Sequence, residues 1–416
     1  MDRINRPKTV LSFGMGVESS ALFVRWADEV AARDFDLTED LIVITAQTGD
    51  EYPDTKLLVE RHILPRMRAH RVRYVQVARA GHLEDDGIVV LSDTREPYEI
   101  CLSGAYKLSQ ELRAAGTVPQ FSGEHRCSLK FKAWVIETWL RREMSAEPYR
   151  HAFGYNATES KRIEKCERAF AGREPVRVAF GFNSEEEKRI SKAQKFDTPW
   201  RQSSFPLVDW GWDRDACSRY LKEVTGETWP KSACVYCPFN ALKADGIARL
   251  RQFPNQVAEA LSLEYQSLSL NPRGTLYRDR TLHSIVTADG NIAAITEFER
   301  KLTASKWALY RVRRIYKGPG QADRAVEKIE TGTRAVIEAR FAENSSGLTI
   351  RVEHGISYGY VREREPDRYP TVEEFYVIAP AAVESKARYG FEWFEPRWQS
   401  AVGVSGQRSL FDNQTC

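Results

Sequence analysis

Residues 9–22 constrain this chain more than any other stretch. Thr9, Val10 and Leu11 favour a buried strand, Gly14 and Gly16 open a tight turn, and Ser19 and Ser20 stand where a helix begins. A strand, a glycine turn and a helix start leave several backbone N–H groups aimed at one spot, with the positive end of the helix dipole behind them. That arrangement binds phosphate or pyrophosphate. It also commits the chain to a layered fold in which a central strand feeds a covering helix.

The rest of the first half supports such a fold. Strand-like runs recur at 10–13, 41–46 and 73–77, with helical stretches over 18–32 and 54–69 between them. This alternation predicts an α/β domain built on a mostly parallel, doubly wound sheet. In such sheets ligands bind outside the carboxyl ends of the strands. The second of these ends carries Thr48-Gly49-Asp50-Glu51-Tyr52-Pro53, so two polar loops should face one crevice. A turn-rich break at Asn271-Pro272-Arg273-Gly274 suggests a boundary, giving a domain over 1–270 and a smaller α+β domain over 271–416 with a mobile tail.

Composition narrows the class. Of 416 residues, 42% are hydrophobic and 29% charged, as in a globular protein, and no apolar run nears the length of about 18 that a membrane span needs. The start of the chain carries no apolar signal core, so a cytoplasmic protein without a membrane partner is expected. The net charge of +3 does not by itself point to nucleic acid. Basic, aromatic residues at Trp307, Tyr310, Arg311, Arg313 and Arg314 are nevertheless candidates for a nucleic-acid contact.

Three kinds of phosphate loop compete for residues 12–20. A Walker loop needs a Gly-Lys-Ser/Thr ending, and no lysine is present. A dinucleotide fingerprint needs a third glycine, where Ser19 stands. The third kind fits better: Phe13-Gly14-Met15-Gly16-Val17-Glu18-Ser19-Ser20 resembles the S-G-G-x-D-S-S/T loop of the PP-loop ATP pyrophosphatases, with Ser12 displaced and Glu18 in place of Asp. Three further segments follow in the order seen in the phosphoadenosine phosphosulfate (PAPS) reductase-like branch of that family. Thr48-Gly49-Asp50-Glu51-Tyr52-Pro53-Asp54-Thr55 resembles its D-T-G-x-x-x-P-E-T loop, with Gln47 replacing the Asp. Arg126-Cys127-Ser128-Leu129-Lys130-Phe131-Lys132 resembles its cysteine-then-basic segment, and Lys231-Ser232-Ala233-Cys234-Val235-Tyr236-Cys237-Pro238-Phe239 its late CxxC. The resemblance spans about residues 8–240.

By this resemblance the fold is of the PP-loop, HUP-like kind, and an adenine nucleotide, ATP or a sulfated adenylate such as PAPS, is the ligand. Ser12, Gly14, Gly16, Ser19 and Ser20 cradle its phosphates, with Thr48 and Gly49 opposite. Lys130, Lys132 and Arg126 would neutralise charge, or else form a solvated basic face. Glu18 would hold Mg²⁺ if the ligand is ATP, or simply complement the helix dipole. Arg162 and Arg189, in two similar segments at 152–163 and 179–190, are further candidates to reach an anion.

Of seven cysteines, Cys234 and Cys237 have metal-ligand spacing, and two thiols alone are not a site. With Cys127 and Cys217 they make a candidate four-thiol set, which the resemblance would fill with a [4Fe–4S] cluster and simple coordination chemistry equally with Zn²⁺. A zinc pair completed by His125, a redox dithiol and buried free thiols are the alternatives.

The implied activity is adenylation of a substrate oxygen with release of pyrophosphate, followed by sulfur transfer. tRNA or DNA would be the acceptor, and a protein such as a cysteine desulfurase the sulfur donor. Two other readings compete. One is thiol-dependent reduction of adenylyl sulfate or PAPS, for which the family's C-terminal E-C-G-L-H motif is missing and Cys416 is the only terminal thiol. The other is a non-catalytic nucleotide- or nucleic-acid-binding module.

Overall fold

A computed structural model describes residues 9–119, 126–143, 176–179, 201–239, 244–278 and 280–411. The chain divides into two compact units, Met1–Ser109 with Ser122–Val235, and Gln110–Phe121 with Tyr236–Cys416.

The first unit is a mixed α/β layer structure. Its strands are β1 (Thr9–Ser12), β2 (Leu41–Gln47), β3 (Arg73–Arg79), β4 (Ile88–Thr94), β5 (Val176–Ala179) and β6 (Arg201–Ser204), in the spatial order β4-β3-β2-β1-β5-β6. All neighbours are parallel except β3 and β4. The strand order reverses at β1, whose neighbours are β2 and β5. At such a reversal the connections leave in opposite directions and a crevice opens at the carboxyl end. β2 is buried along its whole length, as a strand covered on both faces must be.

Alternation along the strands builds a core on each face. Leu11, Val43 and Tyr74 pack with Leu22, Phe23 and Trp26 of helix α1 (Val17–Asp28). Val10, Ile42, Ile44, Val75 and Val77 pack instead with Val135, Ile136, Trp139 and Leu140 of a helix over Trp134–Glu143. The helical stretch expected over 54–69 forms as Pro53–Leu58 and Leu64–Ala69, joined by a π-helical turn at Val59–Ile63.

The second unit has a separate antiparallel sheet. Six strands, β7 (Trp307–Gly318), β8 (Gln321–Gly332), β9 (Thr349–Glu353), β10 (Ile356–Arg362), β11 (Thr371–Pro380) and β12 (Lys386–Ala387), lie in the order β12-β8-β7-β11-β10-β9. The helix Pro254–Leu270 belongs with this sheet: its Leu268 and Leu270 are buried among Tyr310, Val312, Tyr358 and Phe375. The longer segment of the unit, Tyr236–Cys416, therefore holds the turn at 271–274 inside it. That turn reads as a boundary in sequence because a helix ends there, yet the helix end is a core element.

The basic residues of β7 are ion-paired. Trp307 and Tyr310 are fully buried. Arg314 pairs with Glu373 at 2.7 Å, Arg313 with Glu395 at 2.8 Å and with Glu327, and Arg311 with Glu374. The charges that suggested nucleic acid are neutralised by acids of the facing strands and the last helix, Phe391–Phe411. Among the described residues no helix is long and apolar enough to cross a membrane.

Candidate nucleotide-binding site

The site is built where β1 ends. After Ser12 the chain turns through Gly14 and Met15 into Gly16, which caps α1 with an extended backbone (φ −88°, ψ 174°). Met15 holds a left-handed conformation, φ 58°, with its side chain buried. A non-glycine residue there is strained, and such strain is characteristic of ligand-holding turns. Above Gly14 there is open space among the described residues: a Cβ added to it would meet none of their atoms within 4 Å. The first intrahelical bond runs from Ser20 N–H to Gly16 O at 2.9 Å. The amides of Val17, Glu18 and Ser19 thus precede the ladder, as the first donors of every helix do.

The loop after β2 forms the opposite wall. Gly49 has φ +90° and lies under the stem of Lys107, whose Cγ would stand 2.6 Å from a Cβ at that position. Only glycine satisfies both constraints. Thr48 O accepts from Leu108 N–H (2.9 Å), and Asp50 Oδ2 from Ser109 N–H (2.9 Å), so the loop is tied to the segment that carries Lys107.

Residues 232–235 form a strap over both loops. Val235 N–H donates to Asp50 O at 3.2 Å, Cys234 forms an antiparallel bridge with Glu51, and Thr48 Oγ1 lies 3.2 Å from Cys234 Sγ. Ser232 Oγ lies 2.9 Å from the position of a Cβ on Gly16. The late cysteine segment is therefore brought onto the phosphate loop, although almost the whole unit separates them in sequence.

Three buried polar atoms here have no hydrogen-bond partner among the described residues: Ser20 Oγ, Gln47 Oε1 and Glu51 Oε2. Gln47, fully buried at the end of β2, directs Nε2 toward Gln76 Oε1 (3.3 Å) and toward Met15 Sδ of the loop (3.9 Å). Leaving a buried polar group unpaired costs about 1–3 kcal/mol. Several at the ends of adjacent strands mark a place prepared for something polar.

The charges are paired across the site. Glu18 Oε1 accepts from Arg214 Nη1 at 2.8 Å, while its Oε2 faces the loop, 3.7 Å from where a Cβ on Gly16 would stand. Lys132 Nζ approaches Glu51 Oε1 at 3.2 Å. Lys132 and Lys130 sit on a π-helical turn, Leu129–Ala133, anchored by fully buried Phe131 beneath the Arg79 guanidinium (5.4 Å). Such turns add a residue to a helix and are frequent at functional sites. Arg126 is exposed at the start of the same segment. Arg162 and Arg189 lie outside the described residues.

The thiols differ from the expected set. Cys217 lies on the helix Arg214–Thr225, fully buried in the apolar cluster around α1 with Leu22, Leu221 and Trp229. Burial, with Glu18 and Asp213 nearby, pushes its thiol up to about 12. Burial and then Glu51 push Cys234 well above the ordinary range, against a smaller opposing pull from Lys132. Cys127 belongs to the first unit and Cys237 to the second. Among the described residues no group of three or more His, Cys, Asp or Glu is placed to hold a metal ion. Cys217 has ligand spacing from Cys234, but its face of an amphipathic helix is the one that packs inward.

Spacing alone did not reveal Gln47, Glu51, Lys107, Arg214 or Ser232 as site residues. Glu51 and Ser232 do fall within the quoted motifs, whereas Arg214 and Lys107 gave no local signal. No protein-family model matches the chain, and neither a curated protein nor a solved structure matches it.

Proposed function

We propose that the first unit is a PP-loop enzyme of the PAPS reductase-like kind, which binds an adenine nucleotide at residues 14–20 and adenylates an acceptor with release of pyrophosphate. The observation that carries this reading is the set of buried atoms unpartnered among the described residues: Ser20 Oγ on the first turn of α1, Gln47 Oε1 at the end of β2 and Glu51 Oε2 on the loop after it. It stands beside an open loop with a strained Met15 at the reversal of strand order.

The chemistry follows from these groups. The leading amides of α1 and its dipole take the phosphates, and the space over Gly14 admits them without displacing a side chain. Lys132 supplies positive charge at the wall formed by Glu51. An acceptor oxygen attacks the α-phosphorus, the bond to the β-phosphate oxygen breaks, and pyrophosphate leaves with the electron pair. Such transfer is accelerated mainly by positioning and by charge stabilisation. Mg²⁺, where ATP is the ligand, fits Glu18, whose Oε2 faces the loop while Arg214 holds Oε1. It would neutralise charge on the leaving pyrophosphate.

The adenylated oxygen is then a leaving group for sulfur. Sulfide-level sulfur brought by the donor attacks the carbon bearing that oxygen, the carbon–oxygen bond breaks and AMP leaves with the electron pair; Cys234, 3.2 Å from Thr48 Oγ1, stands at this wall. Its raised pKa keeps it protonated at neutral pH, so a base or the bound substrate must accept its proton before it acts. No step is routed through a metal cluster. An acceptor such as tRNA or DNA would be held by surfaces other than β7.

The test is ATP–pyrophosphate exchange together with ATP binding by calorimetry, with tRNA or DNA supplied as acceptor. Exchange that disappears in Gly14→Ala and Ser19→Ala supports adenylation. Sulfite release from adenylyl sulfate with a thiol and no ATP would replace it with reduction. Salt-dependent nucleic-acid binding without turnover would replace it with a binding module.

A further inference from the structure

Gly16 does not need to be glycine for its backbone. Its extended conformation is open to any residue, and what excludes a side chain is Ser232, whose Oγ would stand 2.9 Å from a new Cβ while its own Cβ stands 3.8 Å away. The contact is therefore made by the hydroxyl. Three links hold it there: the Thr48–Cys234 contact, the Val235 N–H to Asp50 O bond and the Glu51–Cys234 bridge. Ser232 is half-buried, and its hydroxyl is the part of it nearest Gly16. Gln47, whose Nε2 points to Met15 Sδ of the same loop, has a buried oxygen unpartnered among the described residues.

We propose that Ser232 is a phosphate-binding residue, which donates its hydroxyl to an oxyanion seated on residues 14–20 and so makes the late strap the third wall of the site. This rests on the nucleotide reading above. A hydroxyl donates one hydrogen bond and carries no charge, so it adds a directional contact where amides already supply attraction. The strap also gives the chain a reason to keep Cys234 at the nucleotide. The same short segment that touches phosphate places the thiol two residues on.

The probes are inorganic pyrophosphate and ATP, titrated by calorimetry into the full chain, with thermal melting as a control for folding. Ser232→Ala should weaken both about 10- to 100-fold, the usual effect of one hydrogen bond to a charged group, with an unchanged melting temperature. Ser232→Thr should retain most of the affinity. If Ser232→Ala binds both probes as the parent does, while Gly14→Ala weakens them, Ser232 is not a ligand and the inference fails alone. If the parent binds neither pyrophosphate nor ATP, the nucleotide reading itself falls.

Discussion

Replacing Gly16 by alanine separates steric fit from binding. The new methyl carbon would stand 2.9 Å from Ser232 Oγ, about half an ångström inside normal contact, but 3.8 Å from Ser232 Cβ, which is comfortable. Relief requires only that the hydroxyl rotate away or the strap move slightly. Alanine is also a poorer helix cap than glycine, by a few tenths of a kcal/mol or more, while losing glycine's freedom in the unfolded chain returns a similar amount. The net cost is then about 1 kcal/mol, a fall of about 2–4 °C for a unit of this size. Affinity for pyrophosphate should fall further than stability, because the hydroxyl is turned out of the site. Melting curves and calorimetry on Gly16→Ala, Ser232→Ala and the double variant form the assay. In the double variant the clash is gone, so the stability loss should largely vanish, a coupling of about 0.5–1 kcal/mol. An equal loss with and without Ser232 would refute the geometry. Gly14→Ala is the control: it meets no atom within 4 Å, so it should melt like the parent and yet bind phosphate poorly.

Other outcomes follow from the same structure. Cys217→Ala should leave iron and zinc content unchanged and lower stability modestly by opening a small cavity, as metal analysis and melting would show; loss of bound metal would restore Cys217 as a ligand. Because the folded-state pKa of Cys217 is raised from 9.0 to about 12, its contribution to stability is intact below about pH 9 and is lost as pH rises through 12. Melting of the parent against Cys217→Ala over that range should show the parent falling faster. Glu373→Ala leaves Arg314, 5% exposed in its side chain, without its acid and removes a partner of Arg273 and Tyr316. A loss of about 3–5 kcal/mol is expected by denaturant unfolding of the second unit, and a change below about 1 kcal/mol would show the pair to be dispensable.

Much of the first unit was legible because its signals are local. A strand, a glycine turn and a helix follow from residues 9–28 alone, and the runs at 41–47 and 73–79 carry the apolar density of covered strands. Other features depend on partners distant in sequence. Arg313 and Arg314 read as free positive charge until Glu395 and Glu373 are brought to them by the register of an antiparallel sheet. Cys217 has ligand spacing from Cys234, yet the helix Arg214–Thr225 turns it into the core beside Leu221. The break at 271 ends a helix and not a unit, because burial of Leu268 and Leu270 is a property of the sheet they meet.

The sequence by itself determined the glycine turn, the strand alternation and the two polar loops, since backbone permissiveness and apolar periodicity need no distant neighbour. The tertiary structure decided which of the candidate side chains meet. It set Ser232 and Cys234 over the loops, gave Glu18 to Arg214 and Lys132 to Glu51, and left Ser20, Gln47 and Glu51 each with a buried atom unpaired. Spacing along a chain specifies neither direction nor distance across a sheet; packing does, because each helix can bury only one face.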